Sequence, residues 1–218
     1  TGHPDIGGSR ASIANITAEL LGIHHDKVSV LIGDTATIGY SNLTGGSRVL
    51  FASAMVVTES AKIVIKQLKQ RAAKIWGIDE EAIDWENGEA RPAGDNAGKF
   101  APLTLAELAE KATATGGPIG AAYQVNTEGA EGGFATHICD VEVDMDLGIV
   151  RVKRYTSIQD VGKAIHPDYV EGQLHGGCVQ GIGWALSEEY IYNKDGHLDN
   201  TGFLDYRMPV CSDLPMLD

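Results

Sequence analysis

The spacing of apolar residues along the chain predicts four helices. Apolar positions recur at helical spacing in residues 9–22, 47–76, 104–116 and 166–189, as they do in a helix that buries one face. Gly22 is placed to end the first of these helices, Ser47 to cap the second, and Pro167 to open the last. Thr104 stands three residues before Glu107, which is the spacing of a capping box for the third.

Alternation of apolar and polar residues predicts strands between these helices. The stretch VSVLIGD at 28–34 alternates like a strand, and two short extended runs flank Asn87-Gly88, a pair typical of a tight hairpin. Two longer alternating runs meet at 146–148, and residues 188–198 predict a further strand and turn. Because hairpins mix with helices without a repeating strand–helix–strand order, we expect an α+β fold with mixed or antiparallel sheets and packed helices.

The pattern changes in the glycine- and threonine-rich region 115–132, and this change predicts two lobes. We expect residues 1–125 to form the first lobe and residues 126–218 the second. The chain begins at Thr1 rather than at a methionine and ends at Asp218 without a terminal feature. We therefore expect it to be a piece of a longer protein.

Composition narrows the classes of function. The formal net charge of −13 argues against a nucleic-acid-binding surface, which normally carries a basic patch. The chain contains no apolar run near the roughly 20 residues that span a bilayer, so we expect no membrane partner. Three scattered cysteines fit a reducing compartment better than a disulfide framework, which leads us to expect a cytoplasmic protein.

Two glycine-rich loops deliver the chain to predicted helix starts. They are DIGGSR at 5–10 and TGGSR at 44–48. The unpaired N–H groups and the positive dipole end of a helix start favour anions, and each loop adds an arginine. Neither loop has the lysine of a phosphate-binding Walker loop or the glycine spacing of a dinucleotide fold. Each alone is typical of an ordinary helix start; two in one lobe raise the odds of a phosphate site, and both interpretations stay open at this stage.

The last predicted helix carries five glycines in its interior, and each costs about 1 kcal/mol relative to alanine. They are Gly172, Gly176, Gly177, Gly181 and Gly183. Two explanations remain open at this point. The helix packs closely on a neighbour, or a large ligand approaches its bare backbone. In the second case Gln173 and Gln180, two turns apart on one face, would supply amide donors and acceptors.

The remaining candidates do not form a reactive site by sequence. His24-His25 follow a helix end and are interpreted as solvated or capping residues, and His137 with Cys139 supplies only two ligands of a metal site. No serine stands in an acyl-transfer motif. We expect no catalytic residue and no metal ligand within this chain.

The glycine-rich places, taken in order with residues 33–49, 159–189 and 204–218, resemble a known family. It is the molybdenum-cofactor-binding large subunit of xanthine dehydrogenases, aldehyde oxidases and carbon monoxide dehydrogenases. The resemblance implies a molybdopterin cofactor with molybdenum, which is the cytosine dinucleotide form in many bacterial members. It also implies iron–sulfur clusters and FAD on partner domains or subunits, and an oligomeric enzyme. The activity implied is hydroxylation of an aldehyde or N-heteroaromatic small molecule with oxygen from water.

The resemblance also implies a set of cofactor-binding residues: Gly7, Gly8, Ser9, Gly45, Gly46, Ser47, Arg48, Gln173, Gln180 and Gly181. One departure stands out, because the family's opening loop has a glutamine where this chain has Gly8. The family's catalytic glutamate belongs to a Gly-x-Gly-Glu block that we expect outside this chain, on the rest of the large subunit. Two alternatives are a scaffold of the same fold that binds no cofactor and an enzyme for another phosphorylated ligand.

Overall fold

The computed structural model describes residues 1–127 and 132–218. The chain divides into two compact units, Thr1–Gly129 and Ala130–Asp218. Part of the region in which the sequence places the lobe boundary, residues 128–131, lies outside the described residues. Within the described residues no helix has both the length and the apolar character needed to cross a bilayer.

The first unit consists of helices and a small antiparallel sheet. They are α1 (Ser9–Leu21), α2 (Arg48–Trp76), β1 (Ile83–Glu86), β2 (Glu89–Pro92), β3 (Leu103–Thr104), α3 (Leu105–Glu110) and α4 (Ala112–Thr115). The sheet has the order β1-β2-β3. The hairpin turn has left-handed backbone at Asn87 (φ 51°) and Gly88 (φ 78°), as a tight two-residue turn requires. The capping box between Thr104 and Glu107 is also confirmed.

The core of the first unit lies where α2 crosses the hairpin. Its buried side chains come from α2, the sheet and α3: Leu68, Ala72, Ile83, Ala90, Leu103 and Leu108. The end of α1 is fixed to the same hairpin, because the Trp85 indole N–H donates to the Leu21 carbonyl at 3.1 Å. Gly22 and Gly88 meet backbone to backbone there: a Cβ on Gly88 would lie 2.7 Å from the Gly22 carbonyl oxygen. The hairpin therefore holds the two long helices of this unit in place.

The strand predicted at 28–34 is not present. These residues are extended and alternate in exposure, but no described strand lies alongside them. Their backbone contacts are isolated ones: the Leu31 carbonyl accepts from the Thr1 amino group at 3.0 Å, and the Gly33 N–H donates to the Thr1 carbonyl at 3.1 Å. Alternation reports which side chains face inward, whereas a strand also requires a neighbouring backbone.

The second unit is a long hairpin with a helix. β4 (Ala135–Asp144) pairs antiparallel with β5 (Ile149–Gln159), and α5 spans Pro167–Leu186. The turn predicted at 146–148 is confirmed, with Gly148 at φ 66°. The C-terminal residues run beside β5, where the Ser157 N–H donates to the Asp218 carbonyl at 2.7 Å. At 188–198 the described structure contains the turn but only one isolated bridge, so the predicted strand there is wrong.

Candidate functional site

The first glycine loop is closed by a carboxylate from its own sequence. Gly7 (φ 59°) and Gly8 (φ 74°) are left-handed and lead into α1. The Asp5 carboxylate accepts the Arg10 backbone N–H at 3.0 Å and the Arg10 guanidinium Nε at 3.1 Å. The Ser9 N–H donates to the Ile6 carbonyl at 3.2 Å. An internal anion therefore already lies at this helix start.

Because Arg10 and Ser9 are engaged, the loop offers few free donors. In the part of the chain that the structure describes, the backbone N–H groups of Gly7 and Gly8 have no acceptor. Ser9 itself is 2% exposed, and its hydroxyl donates to Asp5 at 3.3 Å. The sequence identified the glycines but missed the role of Asp5. The position of Asp5 a few residues before a predicted helix was the sequence signal that could have identified this role.

These contacts predict a pH-dependent contribution of Asp5 to stability. The Arg10 backbone N–H, followed by the Arg10 and Ser9 side chains, lowers the pKa of Asp5 below its ordinary 3.8 despite some desolvation. A lowered folded-state pKa stabilises the fold above pH 3.8 and loses this effect as pH falls through the folded value. Asp5→Asn should therefore lower the free energy of unfolding by less than about 1 kcal/mol at pH 7, since the pair is solvent-exposed. Urea denaturation at pH 7 and pH 3 checks this, and an equal loss at both would contradict it.

The second glycine loop has the same backbone form but no internal anion. Gly46 (φ 64°) and Ser47 (φ 57°) are left-handed and lead into α2. Ser47 is the N-cap residue as predicted, but its side chain makes no capping hydrogen bond. A capping hydroxyl reaches back to the helix from extended backbone, and the left-handed conformation of Ser47 directs it elsewhere. Among the described residues, the N–H groups of 48–50 have no acceptor.

Arg48 is held beside this open helix start. One guanidinium nitrogen donates to the Leu43 carbonyl at 3.2 Å, and the other contacts the Thr127 hydroxyl oxygen at 3.5 Å. The first turn of α2 contains no acidic residue. Free backbone donors, the positive dipole end and a fixed guanidinium therefore act together, and this arrangement suits a phosphate or another anion.

The left-handed conformation of Ser47 leads to a stability prediction. A residue with a Cβ pays about 1 kcal/mol or more in this region, and glycine does not. Ser47→Gly should raise the free energy of unfolding by up to about 1 kcal/mol, measured by urea denaturation. If the backbone of this loop rather than the hydroxyl contacts a ligand, ligand occupancy stays unchanged in this variant. A fall in stability would show that the Ser47 side chain stabilises the loop.

The glycines of α5 fall into two groups. A Cβ on Gly183 would lie 2.7 Å from the Pro209 Cδ, so this glycine is required by packing within the second unit. A Cβ on any of the other four, Gly172, Gly176, Gly177 and Gly181, would meet nothing within 4 Å. The packing explanation is thus correct for one glycine. The other four leave a strip of bare backbone facing open space.

Glutamines and aromatic side chains border this strip, which we call the glycine face of α5 (Gly172, Gly176, Gly177 and Gly181). At 100° per residue, Gln173 and Gln180 lie between these glycines, and both are exposed. Tyr169 (42% exposed) and Trp184 (68% exposed) lie on the same side. Cys178 and Ile182 point the opposite way and are buried. The glycine face therefore combines planar, hydrogen-bonding and close-approach surface, as a flat heterocycle requires.

A cluster of polar side chains supports the buried side of α5. The His137 Nδ1 lies 3.2 Å from the Tyr155 hydroxyl and 3.8 Å from the Cys178 Sγ. Burial raises the pKa of Tyr155 above 10.0, and the nearby Cys178 and Cys139 thiols add to the rise. The sequence considered His137 with Cys139 only as metal ligands. In the structure, His137 connects the hairpin to α5.

A second histidine that the sequence missed is buried in the first unit. His3 is 5% exposed, and its Nε2 lies 2.7 Å from the hydroxyl of Ser53 on α2. Its Nδ1 lies 2.9 Å from the Pro4 carbonyl. The contact fixes the segment before the first glycine loop to α2. His3 lies outside the apolar pattern of the predicted helices and strands, so the sequence does not indicate that it is buried.

The predicted site residues belong to two units. Residues 7–9 and 45–48 lie in the first, whereas Gln173, Gln180 and Gly181 lie in the second. A single site that joins the two sets stays a prediction.

The comparisons with known proteins agree with one another on the family that this chain resembles. The family model of the molybdopterin cofactor-binding domain matches residues 1–215. The nicotine 6-hydroxylase large subunit of Paenarthrobacter nicotinovorans is 30% identical over 211 residues, which are 93% of this chain and 26% of that protein. Quinoline 2-oxidoreductase from Pseudomonas putida 86 is similar in structure, with a TM-score of 0.80 and 29% identity over 99% of this chain and 28% of that one.

A further solved structure shares the fold. The carbon monoxide dehydrogenase from Oligotropha carboxidovorans matches with a TM-score of 0.90 and 24% identity, over 99% of this chain and 27% of that one. The chain thus spans about a quarter of the length of the proteins it matches.

Proposed function

The chain belongs to the molybdopterin cofactor-binding domain family, and from this premise we propose that it forms part of the pterin site of a molybdenum-dependent hydroxylase. The observation that carries the proposal is the glycine face of α5. Four interior glycines reduce the stability of the helix yet leave open space where side chains would stand. A flat ligand that lies against the bare backbone explains both facts. The residues present therefore fit a pterin.

We assign different tasks to the two units. The open start of α2, with the backbone of Gly45, Gly46 and Ser47 and the guanidinium of Arg48, binds the cofactor's phosphate groups. The amides of Gln173 and Gln180, with the backbone at Gly181, orient the pterin ring. Support comes from their exposure and from the unused N–H groups at the α2 start.

The first glycine loop has a smaller task in this proposal. The Asp5 carboxylate occupies the helix start, and within the described residues the N–H groups of Gly7 and Gly8 are free to face the cofactor. Ser9 acts through the shape of the loop, since its own N–H and hydroxyl are engaged within it. Because Gly8 has no side chain, its contact with the cofactor in this proposal is made by the backbone alone.

The activity that we propose belongs to the whole protein. The bound cofactor supplies hydroxylation chemistry with water as the oxygen source. The substrate is an aldehyde or an N-heteroaromatic compound, and the relatives named for nicotine and quinoline support the latter. We propose that this chain acts with the rest of the large subunit and with iron–sulfur and FAD partners, and that its cofactor is the cytosine dinucleotide form. We also propose an oligomeric assembly and a cytoplasmic location, the latter supported by the three free cysteines.

Isotope labelling tests this activity. The purified full-length protein is supplied with quinoline, nicotine or benzaldehyde, an artificial electron acceptor and ¹⁸O-labelled water. We expect at least one hydroxylated product that carries the heavy isotope, detected by mass spectrometry. Product oxygen derived from dioxygen, or no turnover of any of the three compounds by cofactor-loaded protein, would overturn the proposed activity.

Replacement of Gln180 tests the pterin contact. Gln180→Ala removes one donor and one acceptor from the glycine face while it improves helix propensity, so the fold should be retained. We expect pterin occupancy of the full-length protein to fall by about tenfold, the equivalent of about 1.4 kcal/mol. The fluorescent oxidation product of the released pterin measures occupancy. Equal occupancy in the variant and the wild type would remove Gln180 from the site.

A further inference from the structure

Three consecutive side chains just after the end of α1 converge on one point. The His24 Nδ1 lies 3.2 Å from the Asp26 Oδ2, and the His25 Nε2 lies 3.1 Å from the Asp26 Oδ1. One ligand atom from each residue lies within 4.8 Å of the others. We propose that His24, His25 and Asp26 form an open binding site for a divalent transition-metal ion of the zinc class.

The distances fit such an ion. Metal–ligand bonds of about 2.1 Å at a tetrahedral angle place two ligand atoms about 3.4 Å apart. Both imidazole–carboxylate separations, which involve the two different oxygens of Asp26, are close to that edge length, and all three ligand atoms lie within 4.8 Å of one another. Two imidazole nitrogens and a carboxylate oxygen form a donor set that zinc, cobalt and nickel accept.

The backbone fixes the three residues. They lie on a short turn in which the Lys27 N–H donates to the His24 carbonyl at 3.0 Å, and the Val28 N–H donates to the His25 carbonyl at 2.9 Å. The two imidazole rings lie 4.3 Å apart between centroids. Because the ligands come from one rigid turn, an ion closes no loop when it binds, and little chain entropy is lost.

The local electrostatics favour a cation. The His24 Nδ1 accepts the Asp26 backbone N–H in a long hydrogen bond of 3.4 Å, and an ion would replace this bond on the same lone pair, with the Asp26 Oδ2 3.2 Å away. A cation that contacts both atoms removes their repulsion. The turn also follows the carbonyl end of α1, which carries a partial negative charge.

The site is open to solvent. The exposed fractions of the three side chains are 65%, 57% and 73%. Three protein ligands leave at least one coordination position of a tetrahedral ion for water or for a donor from another molecule. The sequence assigned His24 and His25 as solvated or capping residues, and His24 does accept the cap hydrogen bond. It did not identify Asp26 as their shared partner.

Metal titration of the untagged full-length protein tests the proposal. Cobalt absorption spectra and zinc calorimetry are recorded for the wild type and for His24→Ala, His25→Ala and Asp26→Asn. We expect one equivalent to bind in the wild type, and each substitution to weaken it by at least about tenfold. His175→Ala is the matched control, since it removes an exposed imidazole that lies 3.9 Å from a single carboxylate, that of Glu171.

A loss of metal binding can be distinguished from a loss of folding, because all three residues are exposed and circular dichroism verifies the fold of each variant. An unchanged affinity in the His24→Ala and Asp26→Asn variants would overturn the site. So would a loss in His175→Ala equal to theirs, since that outcome indicates binding by any surface histidine. Pterin occupancy is measured on the same samples and should remain unchanged.

Discussion

Gly181→Leu in the full-length protein should abolish most of its pterin binding and leave the fold intact. A Cβ at Gly181 meets nothing within 4 Å, and leucine is a better helix former than glycine by close to 1 kcal/mol. The second unit should therefore lose no stability. The larger side chain would stand where we propose that the pterin lies, and a clash of a few kcal/mol lowers occupancy by about a hundredfold.

The measurements for this variant are pterin and molybdenum content per folded protein. Glu171→Leu is the matched control, because it adds the same side chain at an exposed position on the far side of α5. We expect wild-type occupancy in that control. Normal occupancy in Gly181→Leu would show that the glycine face serves some purpose other than cofactor binding.

The second large effect is expected at the start of α2. Arg48→Glu replaces a guanidinium that is positioned by Leu43 and Thr127 with a carboxylate in the first helical turn. An acid is favourable there for the helix itself, because it interacts with the positive dipole end. Stability should hold while anion binding is lost. We expect pterin occupancy to fall by at least about tenfold, since an attraction of more than about 1.4 kcal/mol becomes a repulsion.

Unchanged stability together with reduced pterin occupancy in Arg48→Glu distinguishes a binding role from a structural one. Lys66→Glu makes the same charge change at an exposed position further along α2 and should leave both stability and occupancy unchanged. Thermal unfolding and pterin content are measured for both variants. Loss of stability without loss of pterin in Arg48→Glu would assign Arg48 to the loop structure instead of the cofactor.

Local signals in the sequence predicted most of the fold. The Asn87-Gly88 hairpin and the Thr104–Glu107 capping box depend on residues close in sequence, so their motifs are sufficient. The strand at 28–34 was predicted wrongly because pairing depends on a distant backbone that the local pattern does not encode.

The sequence proposes residues for the candidate site, and their geometry comes from the structure. Sequence alone treats the α5 glycines as equivalent, whereas Gly183 packs on Pro209 and Gly181 faces open space. The two helix starts also look alike in sequence. Only the structure shows that Asp5 occupies one of them and leaves the other open. Such differences arise from three-dimensional contacts, which no motif records.

The central claim is that this chain helps to bind a molybdopterin cofactor. The most direct measurement is the molybdenum and pterin content of the folded full-length protein, purified from a molybdenum-replete host that makes the cofactor. We predict about one molybdenum and one pterin per large subunit, with the cytosine nucleotide released on hydrolysis. Folded protein that carries neither molybdenum nor pterin would contradict the account and would support a scaffold of the same fold.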